Sequence, residues 1–309
     1  MQLRYDEDFV EAAVFLCASG RRKGVPALQI SRFHRQREKL YGIADPDHRN
    51  AAFFRVHLDW FREWGLEADL RVVLPEFPLM EKLAVLAVRK AQSKSDEGTE
   101  LYVNEEGLRT GVLALRLERL AQDSGLTTYL RHEFTHLHDM LDPVFGYSPD
   151  LDLPGLNQAQ VRLARERYRL LWDIAIDGRL ACSGHTPLTS REDHAEAFAR
   201  GYSFWTADQR AIVFGELWLG RNLDHAHFLS LIADPRGLRD AGRPAPGGSC
   251  PLCGFPTFHW ADPSATSSEL LGHIRAEFPH WSVEQGFCGR CLETYEAAAT
   301  VRSQPTEVA

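Results

Sequence analysis

The sequence lacks any run approaching the roughly 20 uninterrupted apolar residues that a membrane-crossing helix needs. Its first residues carry Asp6, Glu7 and Asp8 where an export signal would be basic. A membrane-spanning or exported protein is not expected, and the predicted location is the cytoplasm. Excess positive charge is missing too. Lys and Arg total 35 against 43 Asp and Glu, a formal net charge of −8, which argues against a general affinity for nucleic acid, because that affinity is driven by phosphate neutralisation. No internal repeat and no low-complexity tract is visible. With 309 residues, 44% of them hydrophobic, the chain can bury a core for one large domain plus a small one.

One stretch departs from the acidic balance. Arg21, Arg22, Lys23, Arg32, Arg35, Arg37 and Lys39 stand against the single acid Glu38. Only Phe33 interleaves them, so a solvated basic face is the simpler reading than a nucleic-acid grip. Cysteines number six, and four form two C-x-x-C pairs, Cys250/Cys253 and Cys288/Cys291. In a chain expected to meet a reducing environment these read as metal ligands rather than disulfides. Cys17, in an apolar run, and Cys182 are expected to be small core residues.

Apolar spacing predicts helices over Asp6–Ala18, Ala51–Trp64 and Leu79–Ala91, and short strands at Leu70–Leu74, Leu101–Val103 and Val112–Glu118. A helix capped by Thr127 or Thr128 should run to Leu141, and a second from Gln158 to Leu180. Ser190 with Asp193, Thr206 with Gln209, and Asn222 can cap three more. Pro and Gly are dense from 235 to 249, which marks a linker between a domain over 1–234 and a module over 250–309. The fold class is therefore α+β and helix-rich, with a small sheet.

His132-Glu133-Phe134-Thr135-His136 places two imidazoles four residues apart on one helical face, with Glu133 beside them. Two such nitrogens suit zinc, and the carboxylate can take a proton from a zinc-activated water, the nucleophile of hydrolysis at neutral pH. A third protein ligand is required. Asp173 and Asp177 share one face of a strongly apolar helix, where unpaired carboxylates are costly. Asp142, six residues after His136, is the rival. Its spacing resembles that of metzincin peptidases, but Asp139 occupies the position of their turn glycine and Pro143 follows. The order of preference is Asp173, Asp177, Asp142. Tyr147, Tyr168, His185, His194 and Tyr202 are candidates for stabilising a developing oxyanion. His138 is rotated off the metal face.

A first helix with H-E-x-x-H and a second with an acid-x-x-x-Asp pair resembles the gluzincin branch of the zincin metallopeptidases. The resemblance covers Thr127–Asp142 and Tyr168–Leu180 only. It implies that Asp173 is the third zinc ligand and that Asp177 orients His132, with Asp standing where the family has Glu.

Cys250, Cys253, Cys288 and Cys291 offer the four thiolates of a closed, structural zinc site in a zinc ribbon. Phe255, Phe258, Trp260, Phe278 and Trp281 are its expected small core. From Cys250 to Ala309 three arginines oppose seven acids, a net of −4, so protein binding or packing on the catalytic domain is expected rather than nucleic-acid binding. The order of zincin then ribbon resembles SprT-type metalloproteases, a group associated with DNA–protein crosslinks, although the histidine third ligand of that group is not evident. The sequence thus predicts a zinc-dependent peptidase acting on a peptide or protein with Glu133 as general base, and holding one catalytic and one structural zinc. The alternative is a non-catalytic interaction or regulatory module on the same scaffold, with nucleic-acid association as a variant of it.

Overall fold

Gln2–Tyr5 form a strand (β1), and Asp6 turns the chain into the first helix by accepting a hydrogen bond from the Phe9 backbone N–H. In the computed structural model, residues 1–20, 24–121, 125–151, 153, 158–220, 223–233, 235 and 248–302 are described. The chain divides into two units, Met1–Ala233 and Asp234–Ala309. None of the described helices is long and apolar enough to cross a membrane.

The first unit continues with helices α1 (Glu7–Ala18), α2 (Ala27–Leu40), α3 (Pro46–Glu63) and α4 (Ala68–Val73). Strands β2 (Val85–Lys90), β3 (Gly98–Val103) and β4 (Arg109–Leu115) follow, then the short α5 (Glu118–Ala121). The unit closes with α6 (Leu126–Leu141), α7 (Gln158–Cys182), α8 (Arg191–Gly201), α9 (Ala207–Leu219) and α10 (His225–Ala233).

The four strands lie in the order β1-β2-β4-β3. The first three run parallel, and β3 is antiparallel to β4, with Thr99 opposite Leu113 and Tyr102 opposite Thr110. Leu86, Val88, Leu113 and Leu115 point from one face of the sheet into a core completed by Phe9, Phe61, Leu130, Phe134 and Leu137. Helix α6 joins this core because Leu126, Leu130, Phe134, Leu137 and Leu141 recur at the spacing of one helical stripe. A second core gathers around α7, where Leu171, Ile174 and Ile176 meet Phe198, Tyr202, Leu217 and Phe228. Helices α6 and α7 therefore each belong to a different core and face one another where the two meet.

Several expectations are corrected. Leu70–Leu74 is not a strand; Leu70 and Val73 are buried one helical turn apart in α4, while Val72 is exposed. Leu79–Ala91 is not a helix. A 3-10 turn at Pro78–Lys82 leads into β2, whose alternation of Leu86 and Val88 with half-buried neighbours becomes decisive once β1 and β4 pair on either side. Strand β1 was not anticipated. Helix α3 starts at Pro46, earlier than its apolar spacing indicates, because Asp45 caps it by accepting from His48 N–H. Helix α6 begins at Leu126 without a side-chain cap, so neither Thr127 nor Thr128 plays that role. Ser190 and the Thr206/Gln209 capping box do cap α8 and α9, while Asn222 lies outside the described residues. Cys17 is fully buried, whereas Cys182, at the end of α7, is exposed. Arg21, Arg22 and Lys23 are outside the described residues, and on α2 only Phe33 is buried.

In the second unit, β5 (Gly248–Ser249) and β6 (Pro256–Thr257) pair as a small hairpin, followed by α11 (Ser268–Glu277) and α12 (Gly289–Arg302). Gly248 and Ser249 thus belong to this unit; 236–247 of the expected linker lie outside the described residues. The core is Cys250, Ala261, Ile274, Trp281, Phe287 and Cys288. Phe255 and Phe258 are 69% and 74% exposed, which removes them from the expected core.

Candidate metal centres and cavity

The arrangement starts from helical periodicity. His132 and His136 leave α6 on the side facing α7, and Asp173 and Asp177 leave α7 on the side facing α6. Asp173 Oδ1 lies 2.9 Å from His136 Nε2 and 3.6 Å from His132 Nε2. The three donors fall within 4.8 Å of one another. A tetrahedral ion with bonds of about 2.05 Å needs donor edges of about 3.3 Å, which these separations straddle.

Asp177 sits behind the cluster and is fully buried. Its Oδ1 accepts from His132 Nδ1–H at 2.9 Å and from Leu188 N–H at 2.9 Å; its Oδ2 accepts from Thr189 N–H at 2.9 Å and His194 Nε2–H at 2.8 Å. Four donors satisfy a carboxylate that would otherwise be expensive to bury. They also commit Nδ1 of His132 to donation, which leaves Nε2 with its lone pair toward Asp173 when the imidazole is neutral.

Burial lowers His132, but its hydrogen bonds with Asp173 and Asp177 outweigh that and raise the imidazole to about 10. Burial pushes both aspartates up, yet hydrogen bonds from the histidines hold Asp173 and Asp177 well below the usual carboxylate range.

Glu133 projects from α6 toward β3. Thr99 Oγ1–H lies 3.1 Å from Glu133 Oε2 and 3.0 Å from the Glu133 carbonyl oxygen, so the hydroxyl can donate to either. The side chain lines a cavity of about 410 Å³ whose walls include Gly98–Glu100 of β3, His136, Tyr147, Tyr168, Trp172 and two α7 arginines. Trp172 packs edge-on against His136 with ring centroids 4.5 Å apart, and its Nε1–H donates to Asp139 at 2.8 Å. Asp139 also takes both terminal nitrogens of Arg179, so it ties α6 to α7.

The structure separates the remaining candidates. Asp142 ends α6, accepts from Val144 N–H and stands outside the histidine cluster, so it is not placed as a third ligand. Tyr147 and Tyr168 line the cavity, and the Tyr168 hydroxyl meets His225 Nδ1 at 2.7 Å. Burial lowers His225, which favours its neutral ring, and the contact engages the Tyr168 hydroxyl. His194 is engaged by Asp177, Tyr202 is buried in the second core, and His185 is outside the cavity lining. His138 lies against the Phe77 ring rather than in the cluster. Thr99, Trp172 and the Leu188–Thr189 amides were missed. Trp172 had a signal as the neighbour of Asp173, but Thr99, 34 residues before Glu133, had none.

The four cysteines of the second unit form the other metal-competent group among the described residues. Sγ atoms of Cys250 and Cys291 are 3.9 Å apart, and those of Cys253 and Cys288 are 3.8 Å apart. These are not disulfide distances. They match the edge of about 3.8 Å that a tetrahedral zinc with Zn–S bonds of about 2.3 Å requires. Burial raises the Cys250 thiol, but backbone N–H groups led by Cys253 and Cys288 lower it to about 7, while burial pushes Cys288 and Cys291 up. The cluster fits a small ribbon.

No family model, no curated protein and no solved structure matches the chain.

Proposed function

We propose that the chain is a zinc-dependent peptidase with Glu133 as its general base. One observation carries this reading: the His132, His136 and Asp173 donors converge within 4.8 Å beside a cavity whose wall holds the Glu133 carboxylate. Zinc bound by these donors would acidify a water and polarise a substrate carbonyl.

The chain's own groups account for the remainder. Glu133, steadied by Thr99, accepts a proton from the attacking water and returns it to the leaving amide nitrogen, so that a carboxylate and an amine are formed. Strand β3 is an outer strand of the sheet and forms one wall of the cavity, so an extended peptide can add to it through main-chain hydrogen bonds. Tyr147 is the donor for the developing oxyanion, because among the described residues its hydroxyl forms no hydrogen bond, whereas that of Tyr168 is engaged with His225. Cys250, Cys253, Cys288 and Cys291 would hold a structural zinc, leaving the ribbon to serve recognition rather than chemistry.

The non-catalytic reading rests on a specific observation as well. Asp173 and Asp177 lie at ion-pair distance from His132 and His136, contacts that by themselves would knit α6 to α7. Glu133→Gln separates the two. It is expected to keep its zinc and its fold while peptide hydrolysis falls by about 10²- to 10⁴-fold. Undiminished turnover by that variant, or the absence of zinc from the His132 site in purified protein, favours the scaffold.

A further inference from the structure

Helix α7 carries charged residues at intervals of four, Arg165, Arg169, Asp173 and Asp177, along one stripe. The two aspartates end at the histidines, and both arginines line the cavity. At 1.5 Å per residue, Arg169 stands about 6 Å and Arg165 about 12 Å along the helix from the proposed ligand Asp173. Arg169 also approaches the working carboxylate: a Cβ built on Gly98 would sit 3.8 Å from its Nη2 and 3.5 Å from Glu133 Oε2.

Other charges on the cavity wall are already answered. Arg89 forms two hydrogen bonds to Asp96, Glu97 is clasped by Arg116 and Arg119, and Glu100 accepts from the Tyr102 hydroxyl. Among the described residues neither Arg165 nor Arg169 forms a hydrogen bond or ion pair, although each offers a planar fork of donors. Two open guanidiniums in line with the bond-breaking site mark a place for an anion.

We propose that Arg169 and Arg165 form a carboxylate subsite selecting peptides with an anionic group near the scissile bond. An extended peptide advances about 3.3 Å per residue, so the anion lies within about four residues of that bond. The carboxylate comes either from an acidic side chain or from the peptide's C-terminus. This assignment rests on the peptidase reading for the placement of the scissile bond, but its test does not require turnover.

The test uses the full chain with Glu133→Gln, loaded with zinc, and fluorescence anisotropy of four labelled octapeptides of Ala and Leu. One ends in a free carboxylate, one in an amide, and two amidated peptides carry an internal Glu or Gln. The expected result is at least about tenfold tighter binding of one anionic peptide than of its neutral partner, the weight of one charge-assisted hydrogen bond. The preferred anion identifies the source. Arg169→Ala and Arg165→Ala should erase the preference without changing the circular dichroism spectrum, and Arg169→Lys should retain part of it. Equal binding of charged and neutral peptides, no binding of any of them, or a preference that survives both alanine variants overturns the subsite. A uniform fall in kcat in Arg169→Ala, without a substrate-selective rise in KM, also overturns it and makes Arg169 part of the chemistry. Charge-selective binding by the Gln variant, with no hydrolysis by the native protein, would leave the subsite standing and sink only the peptidase reading.

Discussion

The Asp177 carboxylate, fully buried, accepts the Nδ1–H of His132 at 2.9 Å and thereby turns the other ring nitrogen toward Asp173. Its remaining oxygen valence is filled by His194 and by the Leu188 and Thr189 amides. Asp177→Asn keeps the shape but removes the charge and presents an NH₂ to at least one of these donors. Zinc affinity at the His132 site is expected to fall about 10- to 100-fold, as measured by competition with a chelator. Unchanged affinity would show that the carboxylate does not orient His132.

The same contacts set a pH dependence. In metal-free protein His132 is raised from its ordinary 6.5 to about 10. A raised imidazole contributes stability that is fully present below pH 6.5 and is lost as the pH climbs through 10. Asp173 and Asp177, held below their ordinary 3.8, contribute stability that is present above that value and is lost as the pH falls. The metal-free protein should therefore be most resistant to denaturant between about pH 4 and 6.5. Zinc must displace the His132 proton, so zinc affinity should rise from pH 6.5 toward 10. Calorimetry in two buffers of different ionisation enthalpy reads the released proton directly.

Gly178 follows Asp177 on α7, and a Cβ there would lie 2.0 Å from the Trp218 carbonyl oxygen of α9. The obstacle is backbone, which cannot rotate aside. Gly178→Ala must push α9 away from α7 and is expected to destabilise the first unit by at least about 3 kcal/mol. That corresponds to a drop of roughly 10 °C in Tm by calorimetry, and a loss under about 1 kcal/mol would show that the helices are not in contact as described.

Cys288→Ala removes one of the four thiolates and leaves three, one of them already pushed up by burial. Structural zinc contributes on the order of 10 kcal/mol to small ribbons. The variant should carry one zinc equivalent fewer by mass spectrometry, lose the helical signal of α11 and α12, and keep metal at His132. Full retention of zinc and helicity would exclude the four-cysteine site as structural.

What could be read from the chain alone follows one physical rule. His132 with His136, Asp173 with Asp177, and each C-x-x-C pair are separated by three or four residues, and at that range helix or turn geometry dictates which side chains share a face. Helices α6 and α7 were legible for the same reason, since their apolar stripes repeat over several turns. Val85–Lys90 was not, because its run is short and its periodicity ambiguous until two parallel neighbours pair with it from distant parts of the chain. The exposure of Phe255 and Phe258 likewise depends on Trp281 and Phe287 having filled the small core first. The sequence already ranks Asp173 above Asp142, and the structure brings Asp173 to the histidines; tertiary structure alone decided that Thr99 meets Glu133 and that four donors surround Asp177. Those choices depend on how two separate cores bring α6 and α7 together. Burial energy drives that approach and is non-directional, so no local spacing encodes which residues will meet.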